Sequence, residues 1–380
     1  MIDRPERYDI AVIGAGIAGA SIAAELAARH RVLLVERETQ AGYHTTGRSA
    51  AIFAASYGPE PIRALSRASA RFFNNPPDGF CDGDLLAPRN VLMIAREDQL
   101  TVLEAMLVER AGEAGIDRVD AAAITDMMPL IRPGYAAAGM IERGAGDIDV
   151  DRLHQGYLRR FRATGGTLTL AADIKALERS PTGWTLTAGG FSASADVVVN
   201  AGGAWADDIA ALASATAIGL VPKRRTAMIV TPPSGMDPDP WPLAVDIEEK
   251  FYLKPETGRL LISPADETPS PPCDAQPEEL DIAVCIDRIE RAFDLKVRRI
   301  ENKWAGLRNF VADKCPVAGF DPIAPGLFWL AGQGGYGIQT APALARLAAA
   351  LVEDRPVPAD LIDHGVDVAA LAPDRPAVAA

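Results

Sequence analysis

At 380 residues the chain is longer than one hydrophobic core usually grows, which predicts two domains. Its 48% hydrophobic and 23% charged residues exclude a disordered or fibrous class. The net charge of -13 argues against a nucleic-acid partner, because phosphate contacts need clustered Lys and Arg, but leaves room for an anionic small substrate. Cys81, Cys273, Cys285 and Cys315 form no CxxC pair, so no metal is expected, and a reduced, cytoplasmic setting is the simplest reading. No apolar run approaches the roughly 20 residues that span a bilayer, and the first strand starts too early to follow a cleavable signal.

In chain order, YDIAVI (8–13) reads as a buried parallel strand and runs into GAGIAG, Gly14 to Gly19. A run of helix formers follows, then a second strand, RVLLVE, ending on Glu36. Gly14 permits the tight turn, Gly16 lets the backbone approach a pyrophosphate, and Gly19 lets helix and strand pack closely. The helix N-terminus offers orphan amides to the phosphates, and Glu36 is placed to accept from both ribose hydroxyls. Strand, turn, helix, strand and acid in this order predict dinucleotide binding. The carboxylate favours FAD or NAD over NADP.

GYHTTGRSAAIFAASYG (42–58) then replaces the further strand–helix repeats of a nicotinamide dehydrogenase, which favours FAD. A helix is expected near 61–74 and another within 149–166. A strand TLTLAADIKALE, the buried strand and glycine turn DVVVNAGGAW, and a closing strand, glycine loop and helix (327–352) follow, with Pro342 in the helix's first turn.

GAGIAG with Glu36, VVVNAGGAW, GLRNFVADKCPVAG and GQGGYGIQT span nearly the whole chain. In this order they resemble the D-amino-acid oxidase family of FAD enzymes, which includes glycine and sarcosine oxidases. GYHTTGRSAA, FFNNPPDGFC, PKRRTA, FYLKP and WAGLRNFVAD are most similar to the bacterial D-arginine dehydrogenases within it. The resemblance implies an α/β fold: a Rossmann-like FAD-binding domain from 1–80, 147–221 and 304–380, interleaved with an α+β substrate domain from 81–146 and 222–303. That second domain would carry an antiparallel sheet, and the strand-like runs NVLMIA, TAMIV, FYLK and RLLIS fall within it.

Together these readings place noncovalent FAD on Gly14, Gly16, Ile17, Ala18, Gly19, Glu36 and Arg37, and on Thr45, Thr46, Arg48, Ser49 and Ala50. Ile174, Ala201, Gly202 and Gly306 would extend the site, and Gly334, Gly335, Tyr336, Gly337, Gln339 and Thr340 would close it. The final helix is expected to start near Gln339 and Thr340, its amides facing the flavin. Arg308 has the fork of donors that fits a substrate carboxylate, and the resemblance implies the same for Arg225. Strand alternation forbids Arg224 and Arg225 from facing the pocket together. Tyr57 and Tyr252 fall where the resemblance implies closure of the substrate site, with Gly335 and Gln339 beside it. Among the histidines only His44, in the flavin loop, is placed to contact the cofactor; His30, His154 and His364 read as structural.

The chain departs from the D-arginine dehydrogenases at three places. Val91 stands where they carry a glutamate for the substrate guanidinium, and Ile52 and Ala54 stand where they carry His and Thr. A cationic side chain buried beside Val91 would lack a partner at a cost of several kcal/mol. The expected reaction is therefore FAD-dependent oxidative deamination of neutral D-amino acids, with hydride transfer from Cα to flavin N5, an imine, then a 2-oxo acid and ammonia. Oxidation of a secondary amine or a 2-hydroxy acid is an alternative, as is an NAD-dependent dehydrogenase. The reoxidising partner, a quinone, a carrier or oxygen, leaves no motif.

Overall fold

The computed structural model describes residues 6–378; residues 1–5 and 379–380, at the ends of the expected first domain, lie outside the described residues. The β-branched run at the start forms β1 (Glu6–Ile13), followed by α1 (Ile17–Leu26) and β2 (Val32–Val35). Eight of the ten residues of α1 are buried, so it is a core helix rather than an amphipathic surface one. It packs against the helices Val150–Ala163 and Gly337–Val352 on one side of the first sheet.

That sheet has eight strands. The strand Phe191–Asn200, β1, β2 and Thr167–Thr169 run parallel, and Leu327–Ala331 joins Phe191–Asn200 in the same sense. The hairpin strands Ala176–Ser180 and Gly183–Ala188 extend the sheet antiparallel beyond Phe191–Asn200. Trp329, Tyr157 and Phe161 are among the largest fully buried side chains. Each such side chain stabilises the fold by about 1.5–3 kcal/mol.

TLTLAADIKALE does not form one strand. It divides into Thr167–Thr169 and Ala176–Ser180, and the chain between them turns at Ala171, whose φ is +53°. The amides of Ala171 and Ala172 bond to the carbonyls of Glu38 and Glu36, so the segment is drawn across the end of β2.

The second sheet has nine strands and holds all four runs expected there. Val91–Ala95, Ile116–Asp120, Ala138–Glu142, Val221–Val230, Leu243–Asp246, Tyr252–Glu256 and Arg259–Ser263 form its body. It is antiparallel apart from the parallel pair Val91–Ala95 and Leu243–Asp246. Residues 304–310, expected with the first unit, are the end of the strand Ile300–Phe310. That strand is laddered to Val221–Val230 along its length, from Val221↔Phe310 to Val230↔Ile300, and so belongs to this sheet. A small third sheet joins Ile52–Phe53, Leu86–Pro88 and Gly146–Ile148. Among the described residues no helix is long and apolar enough to cross a membrane.

The closing helix starts at Gly337, two residues before the expected start, with Tyr336 as its N-cap residue. Pro342 therefore lies in the second turn rather than the first, and the carbonyl of Ile338 loses its helical donor there.

Candidate active site

β1 delivers the chain into the glycine turn at the mouth of a cavity of about 420 Å³. Gly14 sits at φ +102°, and a Cβ on it would stand 2.4 Å from the Ala201 carbonyl oxygen. A Cβ on Gly19 would fall 1.7 Å from the Gly14 carbonyl oxygen, so helix and turn touch backbone to backbone. Gly16 caps α1 without a side-chain hydrogen bond and lines the cavity with Ile17 and Ala18. Glu36 is buried and accepts from the amides of Ala15 at 2.8 Å and Glu38 at 3.0 Å. A carboxylate has about four acceptor sites, so it keeps capacity for ligand hydroxyls.

The loop Gly42–Ala50 folds over this turn. Thr46 Oγ1 accepts from the Ile17 amide at 2.9 Å, and Thr45 donates to the Leu307 carbonyl at 2.7 Å. Arg48 lines the cavity, but its guanidinium is committed to the carbonyls of Ala275 and Ala305 and to Asp274. The Pro-rich segment around 274 thus also secures this loop. Ser49, Ala50, Ile174, Ala201, Gly202 and Gly306 all line the cavity. Arg37 lies over the Trp205 ring, 4.7 Å from its centroid, and the His44 ring packs against the same indole at 4.6 Å while bonding Glu38.

At the far end of the same cavity Arg225, Tyr252, Arg308, Gly334 and Gly335 converge. The ladder explains the convergence: Arg225 stands opposite Gly306, and Lys223 opposite Arg308, so two neighbouring strands aim one guanidinium each at the same space. Alternation turns Arg224 to the other face, where it pairs with Asp281 at 2.8 Å and with Glu278. Arg225 donates to the Asp266 carbonyl at 2.9 Å and approaches Glu267 at 3.4 Å. Burial, with repulsion from Arg308, pulls its pKa below the ordinary arginine value. Arg308 has no salt-bridge partner among the described residues. Burial opposes its charge, yet Tyr57, Tyr252 and Glu249 more than offset this and hold its pKa above the ordinary value.

Several expected contacts lie elsewhere. Gly19 acts in packing α1 rather than at the cavity surface. Gln339 accepts from the Ala54 amide at 3.1 Å and donates to Ser66 at 2.9 Å, and Thr340 donates to the Tyr336 carbonyl, because the helix begins earlier and carries both past the opening. Tyr336 is packed between Tyr57 and Phe310, and Gly337 remains at the cavity. Tyr57 does not line the cavity; its hydroxyl donates to Glu249 at 3.2 Å. Ile52, Ala54 and Val91 lie one layer back, in an apolar cluster shared with Tyr57 and Tyr252.

Two residues with no sequence signal hold this region. Glu249 sits on an exposed turn at φ +55°. Glu142, cross-strand from Val91, is buried and accepts from the Ser56 amide at 3.2 Å and from the Ser56 hydroxyl. Arg110 donates to the Ser56 carbonyl at 3.2 Å, so the segment before Tyr57 is clamped on both sides. Burial raises the Glu142 pKa against the bonds from Ser56 and Ala55. A carboxyl raised in the folded state contributes stability below its unfolded pKa of about 4.3 and loses it as pH rises through the folded value. The melting temperature of Glu142→Gln relative to the parent is therefore expected to rise between acidic and neutral pH; a falling difference would contradict this.

Asn309 was also missed. It lines the cavity, 7% exposed, and its Oδ1 accepts no hydrogen bond among the described residues. A buried unpaired acceptor costs about 1–3 kcal/mol, and a ligand carrying N–H or hydroxyl donors would relieve it. The anion-ready turn, the acid at Glu36 and this orphan acceptor together fit a flavin dinucleotide.

The sequence pattern of the family described as FAD dependent oxidoreductase (DAO) matches residues 9–351. The chain belongs to this family. A protein similar along its length is glycine oxidase of Geobacillus kaustophilus (strain HTA426), 24% identical over 93% of this chain and 95% of that one. The crystal structure of glycine oxidase from Geobacillus kaustophilus superposes with TM-score 0.82 at 23% identity, covering 92% of this chain and 96% of the other. L-alpha-glycerophosphate oxidase from Mycoplasma pneumoniae, with FAD bound, gives TM-score 0.81 at 16% identity over 92% and 95%. Iminodiacetate oxidase from Chelativorans sp. BNC1 gives 0.77 at 19% over 92% and 96%. This DAO-family chain is an FAD-dependent oxidoreductase with the mixed α/β fold of glycine oxidase, which decides the cofactor between FAD and NAD. The finer likeness to D-arginine dehydrogenases rests on the sequence fragments alone.

Proposed function

We propose that the chain oxidises a free α-amino acid, a neutral D-amino acid in preference to D-Arg, and releases an imine that hydrolyses to a 2-oxo acid and ammonia. The observation that carries this reading is Arg308: a guanidinium facing the cavity without an acidic partner among the described residues, flanked by Arg225 and Tyr252. Such a group invites a carboxylate from outside the chain. The name glycine oxidase, that of an oxidase of a free α-amino acid, supports it.

Noncovalently bound FAD would supply the acceptor for the hydride, with its two electrons, that leaves Cα. The chain's own work is placement. Arg308 takes the carboxylate in a fork of donors, Arg225 stays fixed by Asp266 and adds a second cation, and Tyr252 covers the same side. Gly334 and Gly335 keep the approach open; a Cβ on Gly335 would stand 2.8 Å from the Arg308 guanidinium. The apolar cluster of Ala54, Val91 and Ile52 behind Tyr252 offers no polar partner to a cationic side chain. Glu249 is solvent-exposed at the edge, where an ion pair contributes about 0–1 kcal/mol. We assign the sheet of β1 and β2 to the FAD-binding domain and the nine-stranded sheet to the substrate domain, with Ile300–Phe310 in the latter.

A dye-coupled steady-state panel over D- and L-amino acids tests the reading. D-Leu, D-Met or D-Phe should give the highest kcat/KM; D-Arg or D-Lys leading the panel would overturn the pocket argument. Secondary amines are the second reading, favoured by the iminodiacetate oxidase likeness and by Ile52, which cannot take a proton from a substrate ammonium. Sarcosine, proline and lactate in the same panel distinguish it.

A further inference from the structure

His154 lies on the helix Val150–Ala163, far along the chain from the glycine turn, and is 3% exposed. Its Nε2 is 2.9 Å from the carbonyl oxygen of Ala15. A carbonyl can only accept, so Nε2 carries the proton and donates. We propose that His154 is a positioning residue for the cofactor, which orients the peptide of the glycine turn that meets the pyrophosphate.

Three polar groups of the turn, on either side of Gly16, are each held by a side chain: the Ala15 amide by Glu36, the Ala15 carbonyl by His154, and the Ile17 amide by Thr46. The Ala15 carbonyl and the Gly16 N–H belong to one planar trans peptide and point in opposite directions. Fixing the carbonyl against His154 therefore directs the Gly16 N–H away from it, and Gly16 lines the cavity. An anion site made of main-chain N–H groups depends on such orientation, because a turn that must first rotate its peptide loses affinity.

The same imidazole supports the second loop. Gly42, at φ +76°, crosses its edge so closely that a Cβ there would lie 2.9 Å from the ring carbon Cε1. Gly42 in turn accepts from the Gly47 amide at 2.8 Å and so shapes the turn that carries Thr46. One buried ring thus joins the glycine turn to the loop whose threonine completes it. Burial lowers the His154 pKa, in keeping with a neutral ring.

The test compares His154→Gln, whose amide nitrogen reproduces the reach of Nε2, with His154→Asn, whose amide falls short. FAD-free protein is titrated with FAD, following flavin fluorescence, and the melting temperature of each FAD-free variant is recorded. His154→Gln should bind FAD within about threefold of the parent and His154→Asn at least about tenfold more weakly, the worth of one hydrogen bond. The FAD-free melting temperature of His154→Asn should lie no more than a few degrees below that of His154→Gln, the cost of one unpaired carbonyl. Equal affinity in the two variants, or tenfold loss in both, would overturn the proposal and leave His154 a packing residue. If His154→Asn does not fold, His154→Ser takes its place with the same expected loss.

Discussion

Replacing Arg308 by alanine is expected to lower kcat/KM for the best amino acid by two to four orders of magnitude, while bound flavin and its visible spectrum are retained. The magnitude follows from what is lost. A guanidinium that meets a carboxylate out of water is worth about 3–5 kcal/mol when one partner is removed. Arg308 has no acidic partner among the described residues to share that interaction, whereas Arg225 is already bonded to Asp266 and near Glu267. Arg308→Lys should recover only part of the loss, since an ammonium keeps the charge and not the fork. Measured kcat/KM within about threefold of the parent in Arg308→Ala would remove the carboxylate clamp from the account.

The second large effect belongs to the cofactor. Gly19→Ala adds one methyl group, but it falls 1.7 Å from the Gly14 carbonyl oxygen, a contact of main chain with main chain. Side-chain overpacking in a core costs about 1–3 kcal/mol because rotamers adjust. Here α1 itself has to move off the turn, so the cost should exceed that range and the N-terminus of α1 should lose its aim at the phosphates. Purified Gly19→Ala is expected with less than about a tenth of the parent's FAD and a lower melting temperature. Gly190→Ala is the control: nothing lies within 4 Å of its Cβ, and it should change stability by no more than about 0.5 kcal/mol. Stoichiometric FAD and an unchanged melting temperature in Gly19→Ala would contradict the packing role.

The glycine turn and its acid were legible because their signal lies in main-chain geometry that few residues permit. Gly14, Gly16 and Glu36 announce themselves at fixed spacing, and the structure puts them on one cavity. The alternation of Arg224 and Arg225 was equally readable, since a strand has a period of two. The rest depended on long-range pairing. Nothing local to TLTLAADIKALE reveals that Glu36 and Glu38 will draw its middle across β2. Nothing local to Ile300–Phe310 reveals that it ladders with Val221–Val230. Glu142 and His154 lie well away in sequence from Ser56 and Ala15, the groups they bind, and become meaningful only when sheets and helices close. Gln339 and Thr340 were misplaced by a helix start two residues early, a shift that on a helix rotates side chains about half a turn.

On the proposed reading a neutral D-amino acid delivers a hydride within this cavity. Anaerobic mixing of the yellow protein with D-Leu, D-Met or D-Phe tests it without any assumption about the reoxidising partner. Rapid loss of the flavin's visible absorbance is expected with a D-enantiomer and little with its L-counterpart, followed by return of colour if air is an acceptor. Flavin that stays oxidised with every amino acid while sarcosine or a 2-hydroxy acid bleaches it would contradict the account.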